Sequence, residues 1–241
     1  MLFPESYLSG SEFDNYRIFP LTISNQTLLE TRQDLLLKLV KGKKIIHVGC
    51  VDHLEIIEEK IKKNQWVHKL ITEASDKCLG IDINEEGIEF LSNKLGFKNV
   101  IVHNVINDDP APEIVKEQWD FLVLGEILEH VDNPVEFLSA LAEKYGKNVK
   151  GIIVTVPNAF NLNNFRNTLK NIEYINTDHR FWFTPYTLAK VFYRSGINPN
   201  EAYTCLFEPA SSRGMLSKIM LRRFPLLRDT LVMAGSFRRK V

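Results

Sequence analysis

Paired cysteines, a long apolar run and an excess of one charge are all missing from this sequence. Its three cysteines, Cys50, Cys78 and Cys205, are isolated, with no Cys-x-x-Cys pair. An odd, scattered set supports neither a disulfide framework nor a zinc knuckle and fits a reducing compartment. Nowhere do about eighteen apolar residues run together, as a membrane-crossing helix requires. The opening MLFPESYLSGSEFDNYR carries acids and no basic stretch ahead of an apolar core, so the expected location is cytoplasmic. Lys plus Arg and Asp plus Glu each number 30, which removes any general attraction to polyanions. With no separate RNA-binding domain either, nucleic acid is not the expected partner. Internal repeats and low-complexity segments are absent too.

What is present is an ordinary globular composition, 44% hydrophobic and 25% charged over 241 residues, enough for one well-buried domain. The charge is unevenly spread. From Arg213 onward there are eight basic residues against the single acid Asp229. The simplest reading of that tail is a solvated amphipathic helix and strand end, with an anionic substrate, a membrane surface or a partner protein as further options.

Strand and helix patterns alternate along the chain. After a mixed, aromatic N-terminal segment, an arm or a lid, Ser24 or Asn25 is placed to cap a helix striped by Leu28, Leu29, Leu35, Leu36 and Leu39 and ended by Gly42. Lys44–Val48 is a short apolar strand that turns at Gly49 into a helix from Leu54, and Trp66–Ala74 is a second helical piece. Lys77–Ile83 is a second strand, Glu85–Leu95 a helix closed by Gly96, and Asn99–His103 a third strand, with a loop from Asp108 to Pro112. Trp119–Gly125 reads as a strand buried on both faces, Pro134–Tyr145 as a helix capped by Asn133, and Gly151–Val156 as the next strand. The Asn-rich stretch to Asp178 reads as a partly helical cover. It leads to a helix over Tyr186–Ser195 capped by Thr184, a strand Ala202–Phe207, a basic helix Met215–Phe224 and a last strand Thr230–Ser236. This order predicts a mostly parallel α/β sheet with helices on both faces.

The chemistry concentrates where strands end. A glycine turn after the first strand admits a ligand to the backbone, and an acid ending the second can accept both hydroxyls of a ribose; Gly49 and Asp82 stand at those places. Val51 and His53 break any Gly-x-Gly-x-x-Gly pattern, so a nucleoside without pyrophosphate is favoured over a dinucleotide. Beyond Gly125, the residues Glu126, Glu129 and His130 are spaced i, i+3, i+4 and, on a helical turn, share one face. The plain alternative is a pair of first-turn acids favoured by the helix dipole, with a surface histidine.

At these residues the chain resembles the class I S-adenosylmethionine-dependent methyltransferases. The resemblance spans about Lys43 to Pro199 and rests on IIHVGC, GIDINEEGIEFL, WDFLVLGEILEHVDNPVEFL, VTVPN and DHRFWFTPYTLAKVFYRSGI, in the family's order. It implies a Rossmann-like seven-stranded, mostly parallel sheet with one antiparallel strand, Thr230–Ser236, beside Ala202–Phe207. The chain is expected to form one domain over 1–241, comprising an arm at 1–23, a cofactor-binding half at 43–158, a cover at 159–183 and a basic helix and strand at 213–241. For the cofactor, S-adenosyl-L-methionine, the resemblance implies backbone at Gly49 and Cys50 against the methionine part, and Asp82 beside Ile83 on the ribose. Asn104 and Val105 would lie near the adenine, and Gly125 and Glu126 near the sulfonium. The chain departs from the family pattern at several of these positions. His47 replaces the usual first-strand acid, Val51 and His53 replace glycines, and Asn104 replaces an acid.

Glu126, Glu129, His130 and His179 look like the carboxylate-histidine metal site of the small-RNA 2′-O-methyltransferases, where Mg²⁺ or Mn²⁺ can hold an acceptor oxygen. Without metal, Glu126, His130 or His179 is the candidate base. A purely structural cluster is the third reading. The expected activity is O-methylation of a small polar, sugar-like acceptor such as a polysaccharide precursor. The rivals are a noncatalytic binding protein on this fold and a nicotinamide-dependent oxidoreductase, for which the glycine turn is wrong. Oligomeric state has no signature in the sequence.

Overall fold

The computed structural model describes residues 2–25 and 27–238; Arg239 and Lys240 of the basic tail lie outside the described residues. The chain opens with a short helix, α1 (Glu5–Ser9), and then α2 (Arg32–Val40). Strand β1 (Lys44–Val48) is followed by α3 (Leu54–Lys62), α4 (Val67–Ala74) and β2 (Lys77–Asp82). Helix α5 (Glu85–Glu89), extended by a π-helical turn over Phe90–Lys94, precedes β3 (Val100–Val102), α6 (Pro112–Val115) and β4 (Trp119–Gly125). Helix α7 (Pro134–Tyr145), β5 (Val149–Pro157), α8 (Leu162–Thr168) and α9 (Pro185–Arg194) come next. Strand β6 (Ile197–Cys205), α10 (Met215–Arg223) and β7 (Thr230–Phe237) complete the chain.

The strands form one seven-stranded sheet in the order β3-β2-β1-β4-β5-β7-β6. All neighbours are parallel except β7, which runs antiparallel to both β5 and β6. The order reverses between β1 and β4, and in open α/β sheets that switch point, at the carboxyl edge, is where ligands bind. Alternate residues of each strand feed two cores. Ile46, Val48, Leu122 and Leu124 face the layer of α7 and α9, while Ile45, Val123 and Ile153 face that of α2 and α4. Burial on both faces explains why β4 is apolar throughout its centre.

The N-terminal arm is docked. Leu8 is fully buried, Phe3 packs edge-on against Tyr186 of α9 at 5.2 Å, and the Leu2 N–H donates to the Pro199 carbonyl.

Several boundaries differ from expectation. Helix α2 starts at Arg32, where Thr31 and Asp34 form a reciprocal capping box, and not at Ser24 or Asn25. The Asn25 amide is instead used on the edge strand: its Nδ2 donates to the Thr204 carbonyl and its Oδ1 accepts from the Thr204 N–H, 3.0 and 3.2 Å. Leu28 and Leu29 therefore fall outside the helical stripe. Strand β6 begins at Ile197, five residues early, because an edge strand tolerates Pro199, and a bulge lies between Pro199 and Glu201. The loop expected to reach Pro112 gives way there to the short helix α6. The largest change is at Glu126, which does not open a helix. It has a left-handed φ of 59°, and only Leu128–His130 closes as a 3₁₀ turn.

Candidate active site at the carboxyl edge of the sheet

Two groups of side chains meet the carboxyl edge on either side of the switch point. On the β1–β2 side, Gly49 has φ 72°, a left-handed conformation that favours glycine, and its Cα faces the tip of the Ile127 side chain. Asp82 closes β2. Its Oδ2 accepts from the Val51 N–H at 2.9 Å and its Oδ1 from the Asn84 N–H at 3.0 Å, leaving a lone pair on each oxygen for a hydroxyl. The carboxylate borders a cavity of about 520 Å³ that Val51, His53, Asn84 and Glu86 also line. Ile83, next along the chain, is 71% exposed.

The substituted glycine position is accommodated. A Cβ on Gly87 would meet Val51 Cγ1 at 2.4 Å, so α5 carries a glycine where the Val51 side chain needs room. Other predicted cofactor residues lie differently. The Cys50 side chain is buried against Trp66 and Ile57, leaving its backbone at the turn; its N–H donates to the Ile81 carbonyl. His47 is buried on the α2–α4 face, with Nδ1 3.2 Å from Nδ1 of His68, and burial beside a second imidazole pushes its pKa well down. Its side chain is thus spent on His68. Asn104 uses its carbonyl oxygen on the Ile106 and Asn107 N–H groups, so its amide NH₂ is what is left for a ligand. Val105 is buried, and its carbonyl accepts from the Tyr145 hydroxyl.

On the β4 side the chain leaves the sheet at Gly125 and strains through Glu126, whose N–H donates to the Thr155 carbonyl. A glutamate in the left-handed region costs on the order of 1 kcal/mol, and such outliers gather at functional sites. Its carboxylate turns toward α2: Oε1 accepts from Thr155 Oγ1 at 3.1 Å and lies 3.5 Å from Arg32 Nη1. Glu126 is therefore held by Arg32 and Thr155, apart from the histidines it was expected to join.

Glu129 is the opposite case. It is fully buried, and neither of its carboxylate oxygens has a hydrogen-bond partner. Burial, with Glu126 adding to it, raises its pKa to about 8. Facing it are His179, whose Nε2 is 4.0 Å from Glu129 Oε1, and His130, whose ring meets that of His179 edge-on at 4.7 Å. One ligand atom from each of Glu129, His130 and His179 falls within 4.8 Å of the others. Asp178 Oδ2 lies 2.7 Å from His130 Nδ1, which fixes the proton there and leaves Nε2 as the lone-pair atom. Burial and the neighbouring His130 lower the pKa of His179, which favours its neutral, ligating form. An orphaned buried carboxylate beside two imidazoles, one with an outer carboxylate, suits a divalent cation.

The cover delivers His179. The Ala159 N–H donates to the Phe183 carbonyl, tying the two ends of the loop together, and the Arg180 N–H donates to the Glu129 carbonyl at 2.8 Å. The Arg180 guanidinium then pairs with Asp132 at 2.7 Å, clamping the loop to the acidic turn. The asparagines at the start of the cover hold the backbone. Asn158 donates to the Leu226 and Arg228 carbonyls, and Asn161 caps α8.

Arg32, Thr155, Ile127 and Asp178 were not singled out as site residues from the sequence. Asp178 adjoins His179 and was within reach of such a reading. Arg32 belongs to a helix far away in the chain and carries no local signal.

The model of a family described as methyltransferase domain matches residues 23–201. No curated protein matches the chain. Among solved structures, the magnesium protoporphyrin IX methyltransferase of Synechocystis PCC 6803, solved with bound SAH, is 11% identical with a TM-score of 0.52, covering 86% of this chain and 83% of that one. An S-adenosylmethionine-dependent methyltransferase of Mesorhizobium loti is 12% identical, TM-score 0.51, covering 85% and 95%. The small RNA methyltransferase HEN1 is 15% identical, TM-score 0.54, covering 95% of this chain but 27% of that much longer one. At these identities the structural likeness is one of fold.

Proposed function

Because the chain belongs to the methyltransferase-domain family, we propose that it transfers a methyl group from S-adenosylmethionine to a hydroxyl of a small polar, sugar-like acceptor, assisted by a divalent cation at Glu129, His130 and His179. The observation that carries this reading is Glu129. A carboxylate sealed from water with no donor on either oxygen is costly, and a cation is the partner that its two histidine neighbours would share. Two imidazoles with one carboxylate suit Mn²⁺ better than Mg²⁺, which prefers oxygen ligands.

The chain's own residues divide the work. Asp82 accepts from the ribose hydroxyls, Ile83 covers an apolar face of the nucleoside, and the glycine turn at Gly49 lets the backbone approach. The donor supplies an electrophilic methyl on sulfonium, and the rate then depends on alignment with the acceptor. His130, oriented by Asp178, and His179, carried by the cover, stand where an acceptor proton would leave. A bound cation would hold the acceptor oxygen and lower the pKa of its hydroxyl.

The test is calorimetric titration with Mn²⁺. The proposal expects one ion per chain, and a loss of at least about hundredfold in affinity for Glu129→Ala, whose cavity keeps both imidazoles but no charge. Equal Mn²⁺ binding by wild type and variant would remove the cation. A metal-free reading would then stand on the Asp178–His130 pair alone, with His130 Nε2 as the base.

A further inference from the structure

On the outside of α10 lies a surface that the methyltransferase reading does not use. Met215, Leu216 and Ile219 are 79%, 79% and 58% exposed, and Arg222 and Arg223 follow on the same side of the helix. Their spacing, i, i+1, i+4, i+7 and i+8, makes one exposed stripe that is apolar at its start and basic at its end. The buried side of the same helix, through Leu221, joins Leu162 of α8 and Leu206 in a small separate core. The two helices therefore sit side by side, and Arg166 Nη2 of α8 donates to Ser217 Oγ of α10 at 3.3 Å.

Beside it, Phe165 of α8 and Leu169 just past its end are 54% and 72% exposed. Between α10 and the Thr27–Leu29 segment runs a groove of about 730 Å³, with Leu28, Met215 and Ile219 among its apolar walls and Lys218, Arg222 and Arg223 at its rim. None of these three cations has an acidic partner among the described residues. The nearby acid Asp229 is already taken by Arg213.

We propose that the outer face of α10, with the groove beside it, forms a docking surface for an anionic lipid bilayer. Large aliphatic side chains left in water beside unpaired guanidinium groups are the composition of a helix lying in a membrane interface, with the chains entering the acyl boundary and the cations meeting the head groups. Charge complementarity favours an anionic bilayer, since Lys218, Arg222 and Arg223 have no acid beside them and a second copy would supply none on this stripe. A nucleic acid would be read by several planar rings interleaved with the cations, whereas one ring, Phe224 beneath Arg223, stands beside the methionine, leucine and isoleucine of this stripe. No helix among the described residues is long and apolar enough to cross a membrane, so the contact would be peripheral.

Co-sedimentation of the full chain with vesicles tests the proposal. Vesicles containing phosphatidylglycerol should retain the protein, vesicles of phosphatidylcholine alone should not, and raised salt should release it. Arg222→Ala with Arg223→Ala should weaken retention about fivefold per charge removed. Leu216→Glu with Ile219→Glu should abolish retention; both pairs are exposed, and an unchanged melting temperature would show that the fold is intact. Absence of retention, equal retention by both vesicle types, or full retention of both variants would overturn the proposal. So would light scattering that shows a dimer, disrupted by Leu216→Glu, in place of vesicle binding.

Discussion

Asp82 and Glu129 are two carboxylates at the same edge of one sheet, and they are treated in opposite ways. Asp82 ends β2 with a backbone N–H on each oxygen and a face toward an open cavity. Glu129 ends the turn after β4 with no donor on either oxygen and no exposure. A satisfied, accessible carboxylate is ready to accept from neutral hydroxyls. An orphaned, buried one resists ionisation until a positive partner arrives. On the proposed reading, the contrast separates a nucleoside site from a cation site, and each half can be perturbed alone.

The largest effect expected from breaking the contrast is the loss of Mn²⁺ binding in Glu129→Ala, at least about hundredfold by calorimetry, with S-adenosylmethionine affinity changed by less than about threefold. Asp82→Ala should do the reverse. It removes two hydrogen bonds to a charged acceptor and should weaken S-adenosylmethionine by about hundredfold while Mn²⁺ affinity holds.

The protonation of Glu129 sharpens the comparison. Its pKa is raised from 4.5 to about 8, so above the unfolded value the unfolded chain ionises while the folded chain keeps its proton. Stability is therefore lost as pH rises through that window. Glu129→Gln, neutral throughout, should exceed the metal-free wild type by about 3 kcal/mol near pH 7 and by less than about 1 kcal/mol near pH 5, read from urea unfolding. Added Mn²⁺ should stabilise the wild type and erase the difference. Mn²⁺ affinity itself should rise with pH through about 8, as the carboxyl must lose its proton to bind. The smallest effect expected is that of Asp178→Asn, which keeps the shape but not the charge beside His130; about tenfold in Mn²⁺ affinity is predicted.

The sheet was largely legible from sequence because its signals are local. Lys44–Val48, the acid ending β2, Pro134 after the Asn133 cap and Pro185 after the Thr184 cap all carry their instructions within a few residues. The antiparallel β7 came only through family resemblance. Readings failed where a residue answers to something distant. Asn25 looks like a helix cap and instead binds the edge of β6, a partner no local pattern reveals. Glu126 fits a helical spacing with Glu129 and His130, yet the backbone turns left-handed and Arg32 claims its side chain. The grouping of Glu129, His130 and His179 survived that failure because the 3₁₀ turn still presents the first two toward the cover.

The most direct measurement is calorimetric titration of the wild-type chain with S-adenosylmethionine, repeated with Asp82→Ala and Glu129→Ala. Micromolar binding to the wild type, lost with Asp82→Ala and kept with Glu129→Ala, is what the two-carboxylate account predicts. Absence of binding to the wild type, with the loop of Val51 and His53 in its folded form, would contradict it.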